Sequence, residues 1–202
     1  MRKKAKAIIK TVVIGVIVIA FAYMYSHIDK NHYIYDRHTE SFNGIGVLEE
    51  DEKIKQTFVS EDKAIDGINI KITTVGDIED VVLHYSLIDE ETGDIVARKV
   101  AATELKNNKF NYLHIPTVEN AEGKEYTVVL TAENSDEENG VSFYAVPGKQ
   151  TDQELQVDEE KQDGTLAMRV ICHRFDVETF VVLLGIVLFI SVFMKTLYKS
   201  FR

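Results

Sequence analysis

Cysteine is almost absent from this chain: Cys172 stands alone among 202 residues. One thiol cannot close an internal disulfide, so any folded part must hold together by packing and hydrogen bonds. Catalytic signatures are missing too. There is no HExxH, no CxxC, no G-x-S-x-G and no phosphate-binding loop, and Gly44-Ile45-Gly46 lacks both the third glycine and the strand-turn-helix setting of a dinucleotide fingerprint. A non-enzymatic protein with no catalytic residues is the expectation. Acidic residues are missing from both ends, since all 33 lie between Asp29 and Glu178. Arg2, Lys3, Lys4, Lys6 and Lys10 precede that stretch and Lys195, Lys199 and Arg202 follow it, which leaves 15 basic against 33 acidic residues in the middle, a net −18. A middle of that charge repels phosphate, which excludes nucleic acid, and it disfavours anionic wall polymers and lipid head groups as direct ligands. Cations, neutral glycans and basic protein surfaces remain.

Charge is absent from two long runs. Thr11 to Tyr25 (TVVIGVIVIAFAYMY) carries none, and extending back to Ala7 adds only Lys10; Thr179 to Met194 (TFVVLLGIVLFISVFM) carries none either. A helix needs about 20 residues to cross the roughly 30 Å hydrocarbon core. Both runs reach that length if flanking lysines snorkel, and Tyr23, Tyr25 and Tyr198 sit where interfacial aromatics belong. Basic flanks stay cytoplasmic, so both termini are expected inside and the acidic middle outside. The chain then divides into a basic tail (1–6), a first crossing (7–25), an extracytoplasmic stalk (26–51), a folded domain (52–176), a second crossing (177–195) and a short tail (196–202). Ala20-Phe21-Ala22 obeys the small-x-small rule, so cleavage after Ala22 competes with a first crossing, although the apolar run is longer than the usual 7–15 residues of a signal peptide.

The stalk, HIDKNHYIYDRHTESFNGIGVLEEDE, shows no sustained period. His27, His32 and His38 are five and six residues apart, a spacing without a fixed ligand pair, and read as exposed polar residues rather than a metal cluster. From Glu52 onward the apolar residues alternate, the mark of half-buried strands. Ile54, Gln56 and Phe58 open the series. Ile65 to Ile72, Val81 to Leu87, Ile95 to Val100, Lys109 to Ile115, Tyr126 to Ala132, Val141 to Ala145 and Leu166 to Cys172 continue it. Turn residues separate the runs at Gly93, Asn107-Asn108, Gly123, Asn139-Gly140 and Asp163-Gly164. An all-β antiparallel sandwich of about eight strands follows. AATELK (101–106) reads as a turn between strands. The acidic run Thr151 to Asp163 reads as a solvated hairpin loop or a short edge strand around Leu155-Gln156-Val157.

QTFVS, then IDGINIKITT, an acidic ETGD turn, ATELKNNKFNYLHIP, EGKEYTVVLTAE and a final LAMRV together resemble a jelly-roll module of bacterial two-span and polytopic membrane proteins. The matching stretches are Ala64 to Ile68, Asn120 to Tyr126 and Leu166 to Val170, and the resemblance covers about Ile54 to Arg174. That module is similar in topology to galactose-binding-like carbohydrate modules and often accompanies membrane glycosyltransferases or cell-surface polysaccharide systems. The resemblance implies a fold and brings no catalytic set with it.

Each prominent residue has a structural reading. Gly67 suits a bulge or a close strand approach, Gly123 a positive-φ turn, and Gln56 a buried amide bonded to the backbone. Tyr85, Tyr112, Tyr126 and Tyr144 fall in register with apolar faces and are expected in the core, as is Cys172. The carboxylate pairs, such as Glu90-Glu91 and Glu159-Glu160, lie in turns and linkers. A glycosidase needs two carboxyls fixed in one cleft. No cofactor is expected; if an ion binds, hard oxygen ligands from acidic turns favour a structural calcium over zinc. Gly15 and Gly185 are the small residues at which the two spans can pack closely against other helices. The expected role is an accessory subunit docked on a polytopic membrane partner, an envelope glycan enzyme or transporter, with a cell-surface carbohydrate-binding module as the alternative.

Overall fold

The computed structural model describes residues 2–38, 41–148 and 153–201. Met1 and Arg202 of the basic tails, and Thr151 and Asp152 of the acidic run, lie outside these. The chain divides into a helical unit, residues up to Asp29 and from His173 onward, and a β unit from Lys30 to Cys172.

In the helical unit, α1 spans Arg2–Tyr25 and α2 spans Val177–Ser200. Asp176 caps α2 by accepting hydrogen bonds from the Glu178 and Thr179 N–H groups, and Glu178 in the first turn and Lys199 in the last complement the helix dipole. No residue of α2 is buried, and the helix is long and apolar enough to cross a membrane. In α1 the described apolar stretch is Val12–Tyr25. Next to the helix ends, Ser26 donates to the Ala22 carbonyl, the Asp176 N–H donates to the Ser26 carbonyl, and the Tyr23 and Phe175 rings lie 5.5 Å apart.

The described β structure is thirteen strands: β1 His27–Tyr33, β2 Asn43–Val47, β3 Ile54–Val59, β4 Ala64–Val75, β5 Val82–Asp89, β6 Ile95–Ala101, β7 Lys109–Glu119, β8 Glu125–Glu133, β9 Gly140–Val146, β10 Glu154–Val157, β11 Glu160–Gln162, β12 Thr165–Leu166 and β13 Met168–Phe175. They form two antiparallel sheets. One runs β11-β10-β3-β8-β5-β6, and the other runs β1-β13-β4-β9-β12, with β2 on β9 and β7 on β4. The alternation read from the sequence is the reason. In β5, Leu83, Tyr85 and Leu87 are buried while Val82, His84, Ser86 and Ile88 face outward, and Ile68, Ile70 and Ile72 of β4 meet them from the opposite sheet in one core. Each fully buried side chain of this size contributes about 1.5–3 kcal/mol.

The strand count exceeds the expected eight for specific reasons. The supposed stalk contains β1 and β2, and its Ile34 and Leu48 are core residues, 2% and 1% exposed. A register shift between Gly44 and Gly46 breaks the two-residue period there, so the alternation that marks other strands is lost. LAMRVICH divides at Ala167 into β12 and β13. The acidic run supplies an edge hairpin, with β10 on β3 and β11 on β10. Ala102–Glu104 is a single 3-10 turn, as AATELK suggested.

Candidate functional site

The outer face of the seven-stranded sheet carries an aromatic and cationic layer. Strand alternation points Lys71 of β4, Phe110 of β7, Tyr144 of β9 and Arg169 of β13 away from the core, because their neighbours Ile70, Ile72, Asn111, Phe143, Ala145, Met168 and Val170 fill it. Tyr33 at the end of β1, with Tyr35 and Phe42, packs with Phe110 and Tyr144 in a small second apolar cluster that includes Val146 and Ala167. Tyr35 meets Tyr33 edge-on at 5.5 Å between ring centres and Phe42 at 6.0 Å.

Two cations are held between these rings. Lys71 Nζ lies 4.2 Å from the centre of the Phe42 ring and 4.8 Å from that of Tyr144. The Arg169 guanidinium carbon lies 3.7 Å from the centre of Phe110 and 4.5 Å from that of Tyr33. Such contacts attract by about 0.5–2 kcal/mol each, according to how dry they are. The Tyr144 hydroxyl is 2.8 Å from the Thr73 hydroxyl. Along one row of the sheet, Tyr112, Asn69 and Arg169 are successive cross-strand neighbours. Sequence reading missed Lys71, Asn69, Phe110 and Arg169 as a group. Their signal was the polar member of each alternating pair in NIKIT and MRV, which looks like ordinary solvent-facing residues until the sheet order places them together.

The outer face of the other sheet carries a shallow polar groove of about 480 Å³ lined by Lys55, Thr57, Thr127, Glu90, Glu125 and Glu154 among others. The Thr57 and Thr127 hydroxyls bond across its floor at 2.9 Å.

The singled-out residues fall as follows. Gln56 is fully buried; its side-chain N–H donates to the carbonyls of Thr57 and Glu154, and its Oε1 accepts from the Leu166 N–H at 2.7 Å. Gly67 sits at a bulge between β4 and β7, where a Cβ would come within 2.4 Å of the Tyr112 ring. Gly123 has φ +79°. Tyr85 and Tyr126 are in the core, and burial pushes both phenols above their ordinary pKa. Tyr112 is not: it is 52% exposed, since Asn111 and Leu113 on either side of it take the inward positions of β7, and its hydroxyl donates to the Asp66 carbonyl. Tyr144 is half-buried on the same outer face. Cys172 is buried.

His27 is exposed, His32 is 3.5 Å from Glu61, and His38 is exposed with its N–H bonded to Asp36, so the three are not brought together. Among the described residues no three His, Cys, Asp or Glu side chains converge as metal ligands. Two turn carboxylates are held below the ordinary range. Asp89 accepts from the Thr92 and Glu91 N–H groups and from Lys124, outweighing its partial burial; Asp136 accepts from the Glu138 and Asn139 N–H groups. Glu49 is pushed up, first by desolvation and then by Glu52, Glu137 and Asp136. Gly15 and Gly185 lie open, with no atom within 4 Å of where a Cβ would stand. No known protein family matches the chain, and no curated protein matches it.

Proposed function

We propose that the chain is a non-enzymatic, membrane-anchored accessory subunit. In this reading α1 and α2 both cross the bilayer, the termini are cytoplasmic, and the β unit is an extracytoplasmic jelly-roll module similar to galactose-binding-like modules. Helices and module dock on a polytopic partner, an envelope glycan enzyme or transporter. The observation that carries the reading is α2: a 24-residue apolar helix with no buried residue, a surface that only lipid or other membrane helices cover well. The basic clusters outside both runs favour cytoplasmic ends. The open notches at Gly15 and Gly185 suit close approach by helices of another protein. A photo-crosslinking residue in place of Gly185, in the full chain in native membranes, is the test. One polytopic protein captured there, and lost in Gly185→Leu, supports docking; a chain that crosslinks to no protein and purifies as a lone monomer in mild detergent contradicts it.

A second reading, a cell-surface carbohydrate-binding module, is favoured by one observation, the layer of rings and cations on the seven-stranded sheet. Aromatic rings with a few placed polar groups are the usual furniture of a sugar site.

A further inference from the structure

Five basic residues precede the first apolar run, Arg2, Lys3, Lys4, Lys6 and Lys10, three follow the second, Lys195, Lys199 and Arg202, and no acidic residue accompanies either group. Within the helical unit the Asp176 N–H donates to the Ser26 carbonyl, so α1 ends where α2 begins, and each helix carries its cations at its far end. At about 1.5 Å per residue, Lys6 lies about 28 Å from Tyr25 and Lys195 about 27 Å from Val177, close to the thickness of the hydrocarbon core, about 30 Å. Lys10 lies one turn nearer the junction. Lys6 and Lys10 are exposed, as are Lys195 and Lys199, and the spacing of four puts each pair on one face of its helix. Among the described residues none of the four pairs with a carboxylate. Along α2 the nearest acid, Glu178, is about 25 Å from Lys195, and no acid precedes Asp29 on the side of α1, whereas salt screens charge beyond about 8 Å. The charge that balances these lysines therefore comes from another molecule.

We infer that the basic ends of α1 and α2 hold anionic phospholipids of the cytoplasmic leaflet, with head-group phosphates against Lys6 and Lys195 and with Lys10 reaching up to the same level. The inference rests on the reading that both helices cross the bilayer with their ends inside, and it adds a lipid partner to that reading. A lipid phosphate is the anion that stands at this depth, at the edge of the hydrocarbon. A soluble polyanion would meet the tails beyond Lys6 but not Lys10, a turn within, whose ammonium gets to the interface only along its own apolar stem. Lysine suits the task, since its ammonium is a compact point charge on a flexible stem and contacts a phosphate from any direction. The middle of the chain does not compete for these lipids, because its net −18 repels them.

The test uses the full chain in neutral detergent micelles carrying equal amounts of phosphatidylglycerol and phosphatidylcholine, with the retained lipids counted by native mass spectrometry. Phosphatidylglycerol should be retained about ten-fold over phosphatidylcholine. Lys6→Gln with Lys195→Gln should cut that preference about three-fold or more. Lys53→Gln with Lys63→Gln removes the same charge from exposed lysines of the β unit and should leave the preference unchanged. Lys6→Arg with Lys195→Arg should keep it, which separates loss of charge from loss of fold. Millimolar inorganic phosphate should not displace the lipid. Equal retention of the two lipids, an equal fall in the β-unit variant, or displacement by inorganic phosphate overturns the lipid inference alone, because micelles have no inside or outside. Labelling of Ser200→Cys from outside intact cells overturns the topology, and with it the assignment to the cytoplasmic leaflet.

Discussion

At the scale of single residues, Gln56 and Gly67 are each held to one residue type by what surrounds them. Gln56 has no room to be anything but an amide, since it satisfies the Leu166 N–H and two carbonyls from the interior of β3. Gln56→Met keeps the volume and strands those groups, so unfolding free energy should fall by about 1–3 kcal/mol in urea titration. Gly67→Ala pushes a methyl into the Tyr112 ring and should cost about 1–3 kcal/mol. In a double-mutant cycle, Tyr112→Ala should recover part of that loss; strict additivity would show that the ring is not what the methyl meets. Both roles were legible in the sequence, from an amide at an apolar position and a glycine inside a strand pattern. The exposure of Tyr112 was not, because the inward positions beside it are held by Asn111 and Leu113, and a buried amide at one of them hides which face of β7 is the core face.

At the scale of elements, turns carry the electrostatics. Asp89 closes the β5–β6 hairpin and Asp136 the turn before β9, each through backbone N–H groups that bond the ionised form. Their folded-state pKa values lie below the unfolded ones, so their contribution is present above about pH 4 and is lost as the pH falls through the folded values. Thermal melts should therefore be flat from neutral pH down to that point and then fall, and Asp89→Asn should flatten the acid limb. The β10–β11 hairpin offers an opposite case. Asp158 and Glu159 turn it with φ +48° and +67°, the left-handed region that favours Asn-Gly. Asp158→Asn with Glu159→Gly should raise stability by up to about 1 kcal/mol; a lower melting temperature would contradict this turn geometry. The hairpin was visible as one of two options in the acidic run. β1 and β2 were invisible because polar residues dominate β1 and a glycine bulge interrupts β2, and both are held by backbone pairing to strands distant in sequence.

At the scale of the whole molecule, charge and hydropathy are partitioned along the chain. The β class of the middle and the apolar helix at the end were readable because each depends on local periodicity. The aromatic and cationic layer was not, since it assembles residues from position 33 to position 169 and exists only once the sheet order is set. Residues 26–176 expressed alone should give a β-dominated circular dichroism spectrum; a helical spectrum would contradict the sandwich. The central proposal is that the β unit stands outside the cell and the end of α2 inside it. Cys172 is buried, so introduced cysteines report cleanly on accessibility. An impermeant thiol reagent applied to intact cells should label Glu137→Cys and should label Ser200→Cys only after permeabilisation. Labelling of both from outside, or of Glu137→Cys only after permeabilisation, would contradict the account.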